Sequence, residues 1–297
     1  MALTPEQRDT FREQGVVVVP DLLDESDFGP LEQELCDWID TRSRALREQG
    51  HLEHLHEGEP FATRYLHLFE QSPLIGAGLD VAYLRGKALF DFVCSEPLLD
   101  AVESLVGPEI ALNPIHHLRA KIPQRMLPSA AETYFNVPWH QDSGVMWEEA
   151  DPVPIVSVWI PLVDATEENG CMQAMPGVAR SGHLPHQAAG GTTILPERIP
   201  DVAPITLACP RGGAVFQDKF TPHRSTPNRS ETVRWSLDLR YQPAGEPTGR
   251  PFHPAFVVRS RRAPEQVCTH EEWSQGWQET FDDLAGKPEP KPHRVVR

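Results

Sequence analysis

Apolar positions recur at helical spacing through the first third of the chain and then give way to short β-rich runs. Thr4-Pro5-Glu6-Gln7 reads as an N-cap, a proline at the first helical position and a capping-box glutamine, opening a short helix that Gly15 ends. The β-branched run at residues 16–19 follows at once. From Asp24 to about Gly50, Phe28, Leu31, Leu35, Trp38 and Ile39 mark one face of a longer helix. Leu98, Leu99, Val102, Leu105 and Val106 do the same before Gly107-Pro108 stops them. Beyond Ile110 the pattern shortens to β runs punctuated by Pro and Gly, clearest at residues 155–163, 213–220 and 233–241. Such spacing predicts a sandwich or barrel.

The expectation is one domain over residues 1–297, with 1–109 as largely helical support, 110–243 as the β core and 244–297 as a loosely held C-terminal extension. A chain of 297 residues with 39% apolar content can bury such a core. The 30 prolines are spread through loops, and only the terminal KPEPKPHRVVR reads as low complexity.

Charge narrows the partners. A formal net charge of −16, from 43 acidic against 27 basic residues, repels a phosphate backbone, so nucleic acid is excluded as an expected partner. The five cysteines are scattered, odd in number and without a CxxC pair, which points to neither a disulfide framework nor a thiolate zinc site and fits a reducing cytoplasm. The polar start MALTPEQRDTFREQG lacks the apolar core of a signal peptide, and no run approaches a membrane span. The expected partner is a small-molecule substrate.

Candidate chemistry begins at VPWHQDSGVMWEE. On an extended segment His140 and Asp142 share a face about 6–7 Å apart, near enough to meet on one ion. Taken alone, the pattern favours an aspartate capping the turn at Ser143-Gly144 beside a surface histidine. His223, just beyond the apolar run at 213–220, changes the balance. Two histidines and one carboxylate form the ligand set of non-haem Fe(II) oxygenases, with coordination positions left open.

In RWSLDLRY the alternation is strict. Trp235, Leu237, Leu239 and Tyr241 share one face, and Arg234 and Ser236 share the other. That second face is either a wet sheet surface or a barrel lumen in which a guanidinium and a hydroxyl hold a carboxylate.

WHQD, then VSVWIPL, then DATEENGCMQAMPG, then HRS followed by Arg234, in that order after a helix and GVVVVPDLL, resembles the phytanoyl-CoA dioxygenase family of Fe(II)- and 2-oxoglutarate-dependent oxygenases. The resemblance runs from about Thr4 to Tyr241. It implies a mainly β fold with N-terminal helices, a double-stranded β-helix or cupin-like jelly-roll barrel. It also implies Fe(II), 2-oxoglutarate and O2 as cofactors, with His140, Asp142 and His223 on iron and Arg234 on the distal carboxylate of 2-oxoglutarate, helped by Ser225 or Ser236. Gln141, Trp159 and Lys87 fall where the family lines the cosubstrate pocket. The implied reaction is hydroxylation or desaturation of an aliphatic C–H, with 2-oxoglutarate decarboxylated to succinate and CO2. Asp142 favours hydroxylation over halogenation, which uses a small residue at that position.

Other polar residues are set aside. His116 and His117 adjoin on an expected strand and face opposite ways. His183 and His186 fall in the loop after Pro176-Gly177. Glu148, Glu149, Glu167 and Glu168 read as solvated, although Trp147 and Glu148 could touch substrate on a lip formed by residues 143–149. Asn169-Gly170 reads as a hairpin turn that sets strand register. Two rival functions remain open: a cupin-like isomerase or oxygenase that does not use 2-oxoglutarate, and a silent binding protein.

Overall fold

The helical spacing of the first third is realised as six α-helices with physical start and stop signals. α1 (Pro5–Gln14) is opened by the Thr4/Gln7 capping box and ended by Gly15 at φ 73°. After β1 (Val16–Val19), α2 (Glu25–Glu48) starts from an Asp24/Asp27 capping box and buries Phe28, Leu31, Leu35, Ile39 and Leu46 along one face. α3 (Phe61–Gln71), the single turn α4 (Val81–Leu84), α5 (Lys87–Val93) and α6 (Glu96–Val106) follow. The computed structural model describes residues 2–127, 135–189, 191–287, 290 and 294–296; the low-complexity terminus falls partly outside them.

The β-rich part begins with β2 (Glu109–Leu112) and β3 (His117–Lys121), and continues through β4 (Val156–Pro161), β5 (Met172–Ala174), β6 (His186–Ala188) and β7 (Thr192–Ile194). β8 (Ile205–Leu207), β9 (Ala214–Asp218), β10 (His223–Ser225), β11 (Arg234–Pro243) and β12 (Phe256–Ser260) complete it. The larger sheet runs β1-β9-β4-β11-β2-β12, with β3 also paired to β11; a smaller sheet runs β10-β5-β8, and β6 and β7 form a hairpin. All paired strands are antiparallel. Among the described residues the two main sheets stay separate ladders, so the jelly roll is an open sandwich of facing sheets.

Period-2 alternation decides what each face of the larger sheet touches. Val17 and Val19 of β1, Val158 and Ile160 of β4, Phe216 of β9, and Trp235, Leu237, Leu239 and Tyr241 of β11 pack in one core with the helices. Trp235 is fully buried between Phe61 at 4.8 Å and Tyr65 at 5.0 Å, both from α3. The opposite face carries Val16, Trp159 and Val215, which meet Met172, Ala174 and Leu207 of the smaller sheet. Between the sheets the lumen opens where β11 turns polar.

The C-terminal stretch differs from the loose extension expected. β12 pairs with β2, and a seventh helix, α7 (His270–Leu284), starts from a Thr269/Glu272 capping box and buries Trp273 and Trp277. Trp273 packs at 5.5 Å on Phe90 of α5. The segment is part of the main core. Asn169-Gly170 lies in the crossover from β4 to β5, which belong to different sheets, so it sets no hairpin register. There Asn169 bonds Thr166 N–H and the Asp164 carbonyl.

Candidate active site

The structure draws His140, Asp142 and His223 into one cluster whose ligand atoms all lie within 4.8 Å of one another. Backbone pairing positions them. His140 and His223 exchange N–H···O bonds of 3.0 and 2.9 Å as an antiparallel bridge, which brings the HxD segment alongside β10. Gln141 is extended at φ −120°, ψ 144°, so Asp142 returns to the His140 face before the chain tightens into a single 3-10 turn over Asp142–Val145. That turn lies close on the β6–β7 hairpin: a Cβ at Gly144 would fall 2.9 Å from Thr192 Cγ2.

Each imidazole is fixed by its own backbone. His140 Nδ1 donates to the Pro138 carbonyl at 2.9 Å and His223 Nδ1 to the Thr221 carbonyl at 3.0 Å. A carbonyl only accepts, so both rings carry the proton on Nδ1 and keep the Nε2 lone pair for a ligand. Burial pushes the His140 pKa down to about 3, and neighbouring His223 adds to the effect, so His140 is neutral at physiological pH.

Asp142, 2% exposed, accepts from Arg240 Nη2 at 2.6 Å on one oxygen and from the Ser157 hydroxyl on the other. Burial alone would raise its pKa, but Arg240 and the two imidazoles outweigh this and hold the carboxylate well below the usual range. Arg240 is itself held above its ordinary value by Asp142 and Asp238, against the pull of burial. Two imidazoles that turn Nε2 to the cluster and one ionised carboxylate suit a divalent iron.

The cluster opens into a cavity of about 840 Å³. Arg234, Ser236, Asp238 and Arg240 line it from the polar face of β11. Arg234 Nη1 donates to Ser236 Oγ at 2.9 Å, and its guanidinium lies 5.0 Å from the ring centre of Trp159, another lining residue. Burial lowers the Arg234 pKa to about 10, which leaves it charged at neutral pH. Ser225 also lines the cavity and accepts from Lys121 Nζ at 3.0 Å.

Two expected pocket residues are corrected. Lys87 sits in the first turn of α5 with its side chain 64% exposed, paired with Asp91, and does not line the cavity. Gln141 points to the face opposite its two neighbours. Its amide bonds the Gly182 and Phe220 carbonyls and Leu184 N–H, a structural tie rather than a pocket wall. The lip expected at residues 143–149 contributes only Val145 to the lining, while Trp147 turns to Phe252 at 5.7 Å.

The histidines set aside take other places. His116 is buried against Trp277 at 5.2 Å, whereas His117 pairs with Asp80 at 2.9 Å beside the cavity. His186 Nε2 accepts from Gln141 N–H at 3.2 Å, and His183 bonds Ser143 at 2.8 Å, so both brace the HxD segment from outside. Glu148, Glu149, Glu167 and Glu168 are exposed. Sequence reasoning overlooked Arg240, Ser157 and Lys121. Arg240 and Ser157 hold the Asp142 carboxylate; Lys121 lines the cavity beside Arg234.

A family model for phytanoyl-CoA dioxygenase matches residues 11–236. Over 209 residues the chain is 26% identical to L-proline trans-4-hydroxylase of Streptomyces griseoviridis, covering 62% of this chain and 75% of that protein. Among solved structures it is similar to the non-haem monooxygenase ThoJ, at TM-score 0.63 and 21% identity over 94% of each chain. It is also similar to the epimerase SnoN in complex with Fe3+, alpha ketoglutarate and nogalamycin RO, at TM-score 0.56 and 19% identity over 98% of this chain and 93% of that one. At such identities these two likenesses are of fold. Among the described residues no helix is long and apolar enough to cross a membrane.

Proposed function

Because this chain belongs to the phytanoyl-CoA dioxygenase family of Fe(II)- and 2-oxoglutarate-dependent oxygenases, we propose that it hydroxylates an aliphatic C–H of a small molecule, with His140, Asp142 and His223 as iron ligands and Arg234 as the anchor of the distal carboxylate of 2-oxoglutarate. Iron, 2-oxoglutarate and O2 together supply the oxidising chemistry, in which 2-oxoglutarate is decarboxylated to succinate and CO2. The observation that carries the reading is a buried, charged Arg234 in the same cavity as the His-Asp-His cluster. A cupin-like metalloenzyme without 2-oxoglutarate has no use for that cation. Ser236 orients the guanidinium, Trp159 walls the cosubstrate, and Arg240 with Ser157 holds Asp142 in its ligand orientation.

The substrate reading is a drug-sized molecule rather than a free amino acid. A cavity of about 840 Å³ lies toward the upper end of the range of about 300–1,000 Å³ for such sites. Its outer wall is apolar through Tyr65, Phe69, Leu79, Met126 and Phe135, with Asp238 and Arg119 offering polar contacts. A cytoplasmic setting belongs to the same reading, supported by five free cysteines.

The test is spectroscopic. Anaerobic Fe(II) followed by 2-oxoglutarate is expected to give a visible charge-transfer band. Iron-loaded protein that gives none overturns the cosubstrate assignment. A panel of apolar and polar candidates, read by succinate formation above the uncoupled background, then tests the substrate class.

A further inference from the structure

We propose that Lys121 is a second cationic anchor for the distal carboxylate of 2-oxoglutarate, acting beside Arg234; the inference rests on the cosubstrate reading above. Lys121 ends β3 directly opposite Arg234 on β11. Side chains opposite one another in an antiparallel pair stand on the same face with Cβ atoms about 4.5–5.5 Å apart. Both residues line the cavity, and both are buried, Lys121 at 2% and Arg234 at 4% exposure.

Among the described residues no carboxylate is hydrogen-bonded to either side chain, and Asp238 acts on Arg234 only from a distance. Lys121 Nζ donates to Asn136 Oδ1 at 2.9 Å, to Ser225 Oγ at 3.0 Å and to the Phe135 carbonyl, all neutral acceptors. Arg234 bonds Ser236, and its buried Nε has no partner among the described residues. A buried guanidinium beside a lysine that burial and that guanidinium keep from charging leaves a positive, poorly solvated pocket with no anion bonded to it. An incoming carboxylate supplies one. It takes the guanidinium on one side and, in place of one of the three neutral acceptors, the ammonium on the other, with the Ser225 hydroxyl beside it.

Burial and Arg234 push the Lys121 pKa down to about 6; Cys171, just before β5, acts in the opposite sense. A carboxylate placed between Arg234 and Lys121 draws a proton back onto Lys121, so binding near pH 7 takes up a proton.

The competing role is structural: Lys121 ties Phe135 and Asn136 to Ser225 of β10. The experiment separates the two. Fe(II)-loaded protein is titrated anaerobically with 2-oxoglutarate and with 2-oxopentanoate, in which a methyl group replaces the distal carboxylate, and the charge-transfer band reports binding. Lys121→Gln, which keeps a donor but no charge, and Lys121→Met are expected to weaken 2-oxoglutarate by about 10- to 100-fold and to leave 2-oxopentanoate unchanged. Equal loss for both ligands, or no loss for 2-oxoglutarate, overturns the inference. Calorimetry of the unaltered protein in buffers of different ionisation enthalpy needs no variant. Proton uptake with 2-oxoglutarate but not with 2-oxopentanoate is expected, and its absence overturns the inference. Failure of the unaltered protein to bind 2-oxoglutarate instead refutes the cosubstrate reading.

Discussion

Arg240 donates to Asp142 at 2.6 Å across 98 positions of sequence, and both side chains are buried. The bond orients the carboxylate whose second oxygen accepts from Ser157. Supporting hydrogen bonds of this kind typically change metal affinity 10- to 100-fold when removed. Arg240→Leu is therefore expected to weaken Fe(II) or Mn(II) binding by about that factor, measured by equilibrium dialysis, while the imidazoles stay fixed by Pro138 and Thr221. Undiminished metal affinity would show that Asp142 needs no such support.

Arg234 acts at the other end of the same strand face. Arg234→Ala removes the charged donor but touches no residue of the His-Asp-His cluster, so iron binding is expected to persist. The 2-oxoglutarate dissociation constant should rise by about 100-fold, the order lost with a buried charge-assisted contact. Loss of iron in this variant would mean that Arg234 is chiefly structural.

How much of this was legible in the sequence follows from the range of each signal. The faces of α2 and β11 are periodic and local, and so are the capping boxes, which is why the helices and the core face of β11 can be read directly. His223 could be joined to His140 and Asp142 because two imidazoles and one carboxylate at strand ends restrict one another. Arg240 carried a usable signal, since the alternation that puts Arg234 and Ser236 in the lumen also puts Asp238 and Arg240 there. The same rule turns Gln141 away from the face shared by its neighbours. Lys87 likewise had a local partner in Asp91 at helical spacing. Lys121 had none: its position depends on β3 pairing with β11, a long-range register that no local pattern encodes. The C-terminal helix was hidden for a similar reason, because Trp273 and Trp277 find their partners in α5 and in the segment before β3.

That packing makes the C-terminal helix a structural element with a measurable contribution. Trp273 has no exposed surface and packs on Phe90 and His270. Trp273→Ala is expected to cost about 3–5 kcal/mol in urea unfolding. Trp273→Phe should cost clearly less, since among the described residues the indole Nε1 has no hydrogen-bond partner to lose. A change near zero for the alanine variant would show that α7 is dispensable for the core.

His116 gives the fold a specific acid weakness. It is 3% exposed against Trp277, its ring has no close hydrogen-bond partner among the described residues beyond a weak contact with the Asn113 backbone, and burial pushes its pKa from 6.5 down to about 3. Asp80 pulls the other way, and His117 and Arg240 add to the depression. Between those two pH values the unfolded chain binds a proton that the folded chain refuses. Stability therefore falls as pH drops through 6.5 and levels off near 3. At pH 5 the loss from this one residue is about 2 kcal/mol. His116→Phe keeps a ring on Trp277 and removes the titrating group. The difference in unfolding free energy between pH 7 and pH 5 should shrink by about 2 kcal/mol in that variant. An unchanged difference would mean that His116 is protonated in the folded protein, satisfied by a partner that opens to it as pH falls.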